Sequence, residues 1–535
     1  MIKRHFMIAS GIFLIILMAS FSEVFSKKES LLKQDLSCME CHEEIKSLKE
    51  GTKHGSLSCS RCHSQFDEHL KDPNKRPETN LDLSLCGQCH PSQYETFLQV
   101  HLKSKAKVEK STTTGRSPAF DRLLNPHGFI KEHNEPRSHG FMLIDHMIVD
   151  RAYGGRFQLK SWKEISKGGN LWERVMDTGK EFPQTAKAGN TVCLTCKSTD
   201  AVLKWPYMGE PHPSTDLKRG GNAGAIYMAK RYLKQPMGCI HCHDPHGAKP
   251  RVVKDALIQA IVDRREGTYP YDPEKSKKTQ MTKIEFYRNG TPFRAIGLLN
   301  RADSIILCAQ CHIEYNCNPG FNPKTGASIG MDDPRTNYIP WVNVFDIQKK
   351  YEGIGFKDFK HHVTGAPLTK LQHPEVETFW RSTHERKGVE CKDCHMPKVK
   401  DRKGKTFTFH GQRSSRYMLK DTCVRCHPSW SQEEAEYQVD AIQNYIRGKM
   451  RKAEFWLGQL IETYLRAKDL GVKEEVLKEV WPLHDKAHIH WEWWTAENSD
   501  GFHHPQLARD SLAQSINASQ EAIKLLEKAI DERKR

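Results

Sequence analysis

Sixteen of the 17 cysteines fall in pairs of the form CxxC, and the residue after each pair is the first chemical clue. Histidine follows in seven: Cys38/Cys41/His42, Cys59/Cys62/His63, Cys86/Cys89/His90, Cys239/Cys242/His243, Cys308/Cys311/His312, Cys391/Cys394/His395 and Cys423/Cys426/His427. At Cys193-Leu-Thr-Cys196-Lys197 lysine stands in its place. Two thiols in this spacing can close thioethers on the vinyl groups of a haem, while the next residue turns under the iron as an axial ligand. A zinc knuckle would want paired CxxC units closing one tetrahedral site. A redox dithiol or a disulfide scaffold would not set histidine after the second cysteine seven times. The repeat therefore points to covalently bound haem c, eight per chain, and leaves only Cys317 outside the pattern.

The lysine changes what one of these seats can do. Electron-carrying haems take two strong axial ligands, and a histidine on each side closes the metal to substrate. A lysine amine has no π-acceptor character and must be deprotonated to bind, which requires a dry pocket. Such a seat is a candidate for an open opposite face, so that seven haems conduct and one reacts. The blander readings are a substituted ligand on another carrier haem and a degenerate motif without haem.

Three further stretches accompany Cys193-Leu-Thr-Cys196-Lys197: Cys308-Ala-Gln-Cys311-His312-Ile-Glu314-Tyr315, Lys370-Leu-Gln372-His373-Pro374 and Glu135-Pro136-Arg137-Ser138-His139-Gly140. With these motifs in this order, the chain resembles the cytochrome c nitrite reductases, and among them the octahaem nitrite reductase family. The resemblance implies that Arg137, Tyr315 and His373 surround the distal face of the haem ligated by Lys197. Each suits that place: Arg137 can hold an anion's oxygens through its fork of donors, while His373 and Tyr315 can supply hydrogen bonds and protons. It also implies a thioether between Cys317 and the Tyr315 ring, where a buried free thiol is the alternative. Calcium is implied beside the site, held by Glu314, the carbonyls of Tyr315 and Lys370 and the side chain of Gln372, an all-oxygen set suited to a hard cation.

Seven bis-histidine haems need distal ligands from the 21 histidines that do not follow a CxxC. The resemblance assigns His139, His384, His410 and His503; the sequence further offers His54, His101 and His246, with His69 as a replacement for one of these. His484, His488 and His490 stay unassigned, and Trp491, Trp493 and Trp494 beside them read as helix packing.

The elements that must position these groups are read more coarsely. Residues 1–26 open with Lys3 and Arg4, continue through an apolar run and end in Val24-Phe25-Ser26, the pattern of a secretory signal. A periplasmic, soluble protein is expected, since the apolar run is short for a membrane span and interrupted by Ser10 and Gly11. Residues 27–110 hold three closely spaced motifs and read as an electron-transfer region, with a polar linker over Lys103 to Arg116. Residues 111–432 hold the other five motifs in Gly- and Pro-rich sequence, where loops rather than sheets are expected to wrap the cofactors. From 433 to 535 the texture is helical: Val439, Ile442, Ile446, Met450, Ala453, Leu457, Leu460 and Tyr464 keep a three-four spacing, with Gly471 past the end. Leu512, Ile516, Ser519, Ile523, Leu526 and Ile530 repeat it after Pro505. The fold class is mainly α: a multihaem cytochrome c with a loop-rich haem core and long C-terminal helices that either cover the core or pair with another subunit in a homo-oligomer.

Hydrophobic residues make up only 37% of the chain, so haem must supply part of the apolar volume. The net charge of +16 could suggest nucleic acid. However, each ferric bis-ligated haem with its propionates ionised adds about −1, and the basic residues are scattered without a base-stacking motif. Nucleic acid is therefore not an expected partner; a small anion and a periplasmic or membrane-linked electron donor are. The resemblance implies six-electron reduction of nitrite to ammonium, with sulfite as a side substrate. The octahaem hydroxylamine and hydrazine oxidoreductases are the rival, but their catalytic haem keeps CxxCH where this chain has lysine. A non-enzymatic multihaem electron carrier would not need the Arg137, Tyr315, His373 and Lys197 constellation. A digest of the mature protein should yield the peptide holding Tyr315 and Cys317 short of its unmodified mass by two hydrogens; a full mass with an alkylatable Cys317 removes the crosslink.

Overall fold

The computed structural model describes residues 35–75, 77–99, 123, 139–142, 191–204, 235–288, 291–330, 332–361 and 363–535. The signal-like residues 1–26 and the polar stretch from Lys103 to Arg116 lie outside them. Cα proximity divides the chain into two units, one of residues up to Leu85 with His243–Lys249, the other of Cys86–Cys242 and Pro250–Arg535.

The smaller unit is built of single turns. Helix Glu43–Lys49, the 3₁₀ turns Lys53–Ser56 and Cys59–Arg61 and helix Phe66–Lys71 follow one another closely, and a two-residue ladder pairs His63 with Thr79. Leu48 and Lys49 are buried, but most of the unit's side chains keep some exposure. So few buried apolar groups cannot sustain a core of their own.

In the larger unit, strands β1 (Arg251–Val252), β2 (Met281–Arg288) and β3 (Thr291–Leu299) form an antiparallel sheet in the order β1-β3-β2, with Ile284 opposite Ile296 and Arg251 opposite Leu298. This departs from the expectation of loops alone. The apolar-polar alternation of Met281-Thr-Lys-Ile-Glu-Phe286 and the Asn289-Gly290 dipeptide are a hairpin signal that outweighs the Gly- and Pro-rich surroundings. One face of the sheet joins a core with Ala256, Leu257, Ile305, Ile306, Ile339 and Trp341, and Tyr315 and Cys317 lie in that same core. Helix α1 (Ser304–Cys308) enters it under a cap: the Asp303 carboxylate accepts from the amides of Ile305 at 3.1 Å and Ile306 at 3.4 Å. Helix α2 (Glu375–Phe379) follows His373-Pro374 directly.

Three C-terminal helices build the second core. Helix α3 (Gln432–Asp469) starts at a reciprocal cap in which Ser431 Oγ accepts from the Glu434 amide at 3.1 Å and Glu434 accepts from the Ser431 amide at 2.6 Å. The stripe read from the sequence is its inward face, with Ile442 only half-buried at its margin. Helix α4 (Trp481–Ala496) is buried on every side along most of its length, as a helix enclosed by others must be. Its indoles each find a partner: Trp491 donates to Glu454, Trp493 to Thr378 and Trp494 to Ser511. Helix α5 (Pro505–Lys534) turns small residues, Ala508, Ser511, Ser515 and Ala518, toward α4, and Ser515 donates to the Ala487 carbonyl at 2.7 Å. The apolar stripes of α3 and α5 therefore meet within one chain. Among the described residues, no helix is long and apolar enough to cross a membrane.

Two glycines end these helices for different reasons. Gly471, past α3, has φ +79°, and an added Cβ would meet nothing nearer than Arg533 at 3.8 Å. Gly501, between α4 and α5, has φ +81°, and a Cβ there would meet Ile446 at 2.7 Å. Gly471→Ala should cost about 1–2 kcal/mol for the left-handed backbone alone. Gly501→Ala adds an overlap and should lower Tm further, as thermal unfolding of the haem-loaded variants will measure.

Candidate functional site

Each described motif sits on a single helical turn. The amide of His42 bonds the Cys38 carbonyl, His90 that of Cys86, His312 that of Cys308 and His427 that of Cys423, at 2.9–3.0 Å. This brings the two cysteines of a motif to one side and sends the histidine back beneath them. Among the described residues no cysteine is in a disulfide. Thiols of different motifs meet instead: Cys38 with Cys59, Cys86 with Cys239, Cys196 with Cys311 and Cys308 with Cys391. The motifs are tied together by backbone. Ser304, at the start of α1, donates its amide and hydroxyl to Glu390 at 2.9 and 3.0 Å and accepts from the Lys392 amide at 3.0 Å, fixing α1 to helix Cys391–His395. Gln310 accepts from the Val253 amide at 2.7 Å and donates to the His241 carbonyl at 3.1 Å, joining α1 to the Cys239 turn and β1.

The haem seats expected from the sequence are not enclosed alike. Among the described residues Cys41, Cys89 and Cys426, each the second cysteine of its motif, are exposed, while the other motif cysteines are half-buried. Identical CxxCH spelling thus conceals a difference in surroundings. The physical reason is local: Cys41 lies in the smaller unit, where few apolar side chains pack. Cys89 and Cys426 are flanked by the exposed Gln88 and Arg425. A thioether needs only an accessible sulfur, so all three fit haem attachment. Cys62 is held by backbone, its amide bonded to the Cys59 carbonyl at 3.1 Å and its carbonyl accepting from the Asn80 amide at 2.7 Å.

Motif histidines face others at a characteristic spacing. Ring centroids stand 6.1 Å apart for His42 and His69, 6.0 Å for His312 and His139, 6.3 Å for His395 and His503, and 6.4 Å for His427 and His384. Two imidazoles bound trans to one metal through nitrogens ~2 Å from it would have centroids roughly 6 Å apart. His63 has His246 as an electrostatic neighbour, and His410 has His90. His69, named from the sequence only as a replacement, is thus the residue facing His42; His101 lies outside the described residues.

The second ring nitrogen supports the same fit. Nδ1 of His54 lies 2.9 Å from the Pro245 carbonyl, His69 2.8 Å from that of Lys75, His395 2.8 Å from that of Arg413 and His410 2.7 Å from that of Thr408. Carboxylates take this place for three others: Glu375 at 3.3 Å from His312, Glu497 at 2.6 Å from His503 and Asp244 at 3.3 Å from His246. An acceptor on Nδ1 fixes the tautomer and aims Nε2 away as a metal ligand. The unassigned His488 differs, with Nε2 spent on Glu492 at 2.9 Å; His484 and His490 pair with Thr364 and Ser511. Burial alone would raise Glu375, but its bond to His312 and the neighbouring imidazoles hold it down at about 2.

Around Lys197 the structure gathers residues from four segments. Lys197 lies at the end of the turn Thr191–Cys196, and its carbonyl accepts from the Met237 amide at 2.8 Å. His373 is an electrostatic neighbour of both Lys197 and Cys196. Its dense surroundings lower the imidazole to about 4, with the Lys197 and His312 charges adding to the effect, although part of the ring stays accessible. Arg137 lies outside the described residues, and of Cys193 only the backbone turn is described.

Lys254 and Asp255 join this site without having been legible in the sequence. The buried Lys254 ammonium donates to Thr195 Oγ1 at 2.8 Å, lies 3.8 Å from Cys196 Sγ and stands over the Tyr315 ring, 3.9 Å from its centroid. The Tyr315 hydroxyl donates to Asn337 at 2.6 Å, and Asn337 donates to Asp255 at 3.2 Å. One dipeptide thus holds the phenol from its face, by a cation–π contact, and through its hydroxyl.

Behind Tyr315 lies a layer of buried oxygen donors. Glu314, fully buried, accepts from the Gln372 amide and the Tyr351 hydroxyl, both at 2.7 Å. Burial pushes its carboxyl up to about 8, and that of nearby Asp358 to about 7. The Gln372 side-chain nitrogen is buried and, among the described residues, has no hydrogen-bond partner. The Lys370 ammonium turns to Glu492 Oε1 at 2.7 Å, and the other oxygen of that carboxylate meets His488. Among the described residues no three His, Cys, Asp or Glu side chains form a metal cluster. The donor set offered is one carboxylate, an amide and carbonyls, which fits a hard cation and would relieve the cost of a buried charge.

A family model described as cytochrome c552 matches residues 172–533. The cytochrome c-552 of Parabacteroides distasonis is 27% identical over 351 residues, 64% of this chain and 59% of that protein. That of Haemophilus influenzae is 26% identical over 419 residues, covering 75% and 65%, and that of Bacteroides fragilis 25% identical over 479, covering 85% and 79%. The matched region thus spans less than two thirds of the first two relatives. A solved cytochrome c nitrite reductase from Desulfovibrio desulfuricans, a catalytic subunit with two calcium sites, is similar in fold, with a TM-score of 0.57 and 22% identity over 84% of this chain and 87% of that one. Asn337→Leu removes both bonds of the Tyr315 relay inside a buried network. It should cost about 1–3 kcal/mol, read as a lower Tm of the haem-loaded variant.

Proposed function

This chain belongs to the cytochrome c552 family, and from that premise we propose that it is an exported octahaem reductase that converts nitrite to ammonium at the seat carrying Lys197. The observation that carries the reading is the convergence of His373, Tyr315 and the one CxxC followed by lysine. A chain of carriers alone has no use for a proton donor and a held phenol beside a ligand of different chemistry.

The residues holding haem would be the eight CxxC pairs, with His42/His69, His63/His246, His90/His410, His312/His139, His395/His503 and His427/His384 as the paired imidazoles and His54 serving His243. Haem, when bound, would supply one-electron transfer at these seven seats and the reacting metal at the eighth. The solvent-facing sulfurs Cys41, Cys89 and Cys426 suit seats that exchange electrons with a partner rather than the seat that reacts. The remaining work falls to side chains. Arg137, permanently cationic, holds the anion's oxygens and orients its nitrogen. His373, part of whose ring stays accessible, donates a hydrogen bond to one oxygen and relays protons as that oxygen leaves as water. Tyr315 would donate to the other oxygen by turning its one hydroxyl proton away from Asn337, where it rests, while Lys254 holds its ring. The balance is nitrite plus six electrons and eight protons giving ammonium and two waters, so the site must pass more protons than electrons. A Tyr315–Cys317 thioether would fix the phenol further. Calcium at Glu314, Gln372 and the carbonyls of Tyr315 and Lys370 would hold Tyr315 and His373 in register without entering the chemistry. Sulfite, another small anion needing six electrons, fits the same donors. We place the protein in the periplasm, supplied by a periplasmic or membrane-linked donor and assembled as a homo-oligomer.

The decisive assay measures ammonium from nitrite with reduced viologen as donor. Lys197→His, with haem content retained, should lose at least ~10-fold in turnover, about 1.4 kcal/mol or more of barrier. Unchanged turnover would move the reaction to another seat, and absence of ammonium from the parent protein would end the nitrite reading.

A further inference from the structure

Nδ1 of His139 is buried without a hydrogen-bond partner among the described residues, while the Nδ1 partners of eight other histidines fall into two chemical classes. Carbonyls or a hydroxyl serve His54, His69, His395, His410 and His63. Carboxylates serve His312 and His503, and, in the smaller unit, His246. Glu375 and Glu497 are both deeply buried, their side chains 8% and 0% exposed. Each is also held from its other oxygen. The Asn498 amide donates to Glu375 Oε1 at 3.2 Å, and Ser499 donates to Glu497 Oε2 through its amide at 3.0 Å and its hydroxyl at 2.9 Å. Consecutive residues of the turn after α4, Glu497 to Ser499, thus build both sites, so neither carboxylate can swing away without disturbing the other.

An imidazole that donates Nδ1–H to a carboxylate is a more basic ligand through Nε2, and a fixed negative charge in a low-dielectric interior favours the more positive metal. Both effects stabilise the ferric over the ferrous state and lower the reduction potential. The location matters as much as the sign. The seat of His312 adjoins the Lys197 motif through Cys311 and Cys196, and the seat of His395 and His503 adjoins it in turn through Cys391 and Cys308. The two carboxylate-backed seats are therefore consecutive on one approach to the lysine.

We propose that Glu375 and Glu497 are potential-setting residues, which make these two seats more reducing than those whose histidines rest on carbonyls or hydroxyls. An electron from a low-potential one-electron donor that reaches them is passed downhill: the seat of His312 is oxidised and the Lys197 seat reduced by one electron. The proposal goes beyond the nitrite reading and rests only on the axial pairing given with it.

The test is a redox titration of the full haem-loaded chain, followed by optical absorption and electron paramagnetic resonance, for the parent, Glu375→Gln and Glu497→Gln. The amide keeps an oxygen for Nδ1–H and loses the charge. Each variant should move one redox component to more positive potential, a different component in each, and leave the rest in place. Potentials unmoved in both variants, with haem content and the bis-imidazole signals intact, overturn the proposal. If Glu375→Gln does not accumulate, Glu497→Gln decides alone. A parent spectrum without bis-imidazole signals would overturn the pairing instead, and ammonium assays leave both outcomes distinct from the fate of the nitrite reading.

Discussion

The hydrogen bond from Nδ1 of a paired histidine to a fixed acceptor is the constraint on which the rest of the structure depends. It decides which ring nitrogen is offered inward, and it requires an acceptor placed to a few tenths of an ångström. Those acceptors are loop carbonyls, a hydroxyl and buried carboxylates, so irregular segments among the described residues are held in place by the histidines they serve. Where a regular element does appear, it serves the same end. The Asp303 cap fixes α1 and so Cys308 and His312; the turn from α4 into α5 fixes Glu497 and His503.

The two cores divide this labour. The long helices α3, α4 and α5 bury aromatic and small side chains against one another and give the chain a rigid back wall. The sheet and α1 form a smaller core that contains Tyr315 and Cys317, so the proposed reactive phenol, although on an irregular segment, is held by packed side chains. Between the two run buried charges, among them Lys370 with Glu492 and Lys357 with Asp485. Such pairs contribute little net stability, but breaking one leaves a charge stranded, so they fix the register of segment 357–373 against α4. That segment carries His373.

Much of this was legible in the sequence because the relevant signals are local. CxxCH is a one-turn pattern, the apolar stripes of α3 and α5 repeat within a few residues, and Gly471 and Pro505 mark helix ends by backbone chemistry alone. The motif does not say how well its sulfurs are covered, so the openness of Cys41, Cys89 and Cys426 emerges only from the packing around each turn. The pairing of β2 with β3 also has a local signal, in the alternation and the Asn-Gly dipeptide, but the Gly- and Pro-rich composition around it points the other way. Lys254, Asp255 and Asn337 belong to no motif; only the fold brings positions 195, 254, 315 and 337 together. Glu375 and Glu497 were hidden for the same reason, since a carboxylate's partner across 63 residues leaves no trace in spacing. That His69 faces His42 was likewise a question of distance, not of residue type.

The central claim is that the seat carrying Lys197 differs from all the others in being open to a small anion. Electron paramagnetic resonance of the oxidised, haem-loaded protein with and without nitrite measures this directly. The account predicts that the signal of a single haem changes when nitrite is added while the bis-imidazole signals stay fixed, and that Lys197→His abolishes the change. A spectrum in which no haem responds to nitrite, or in which the response survives that substitution, contradicts it.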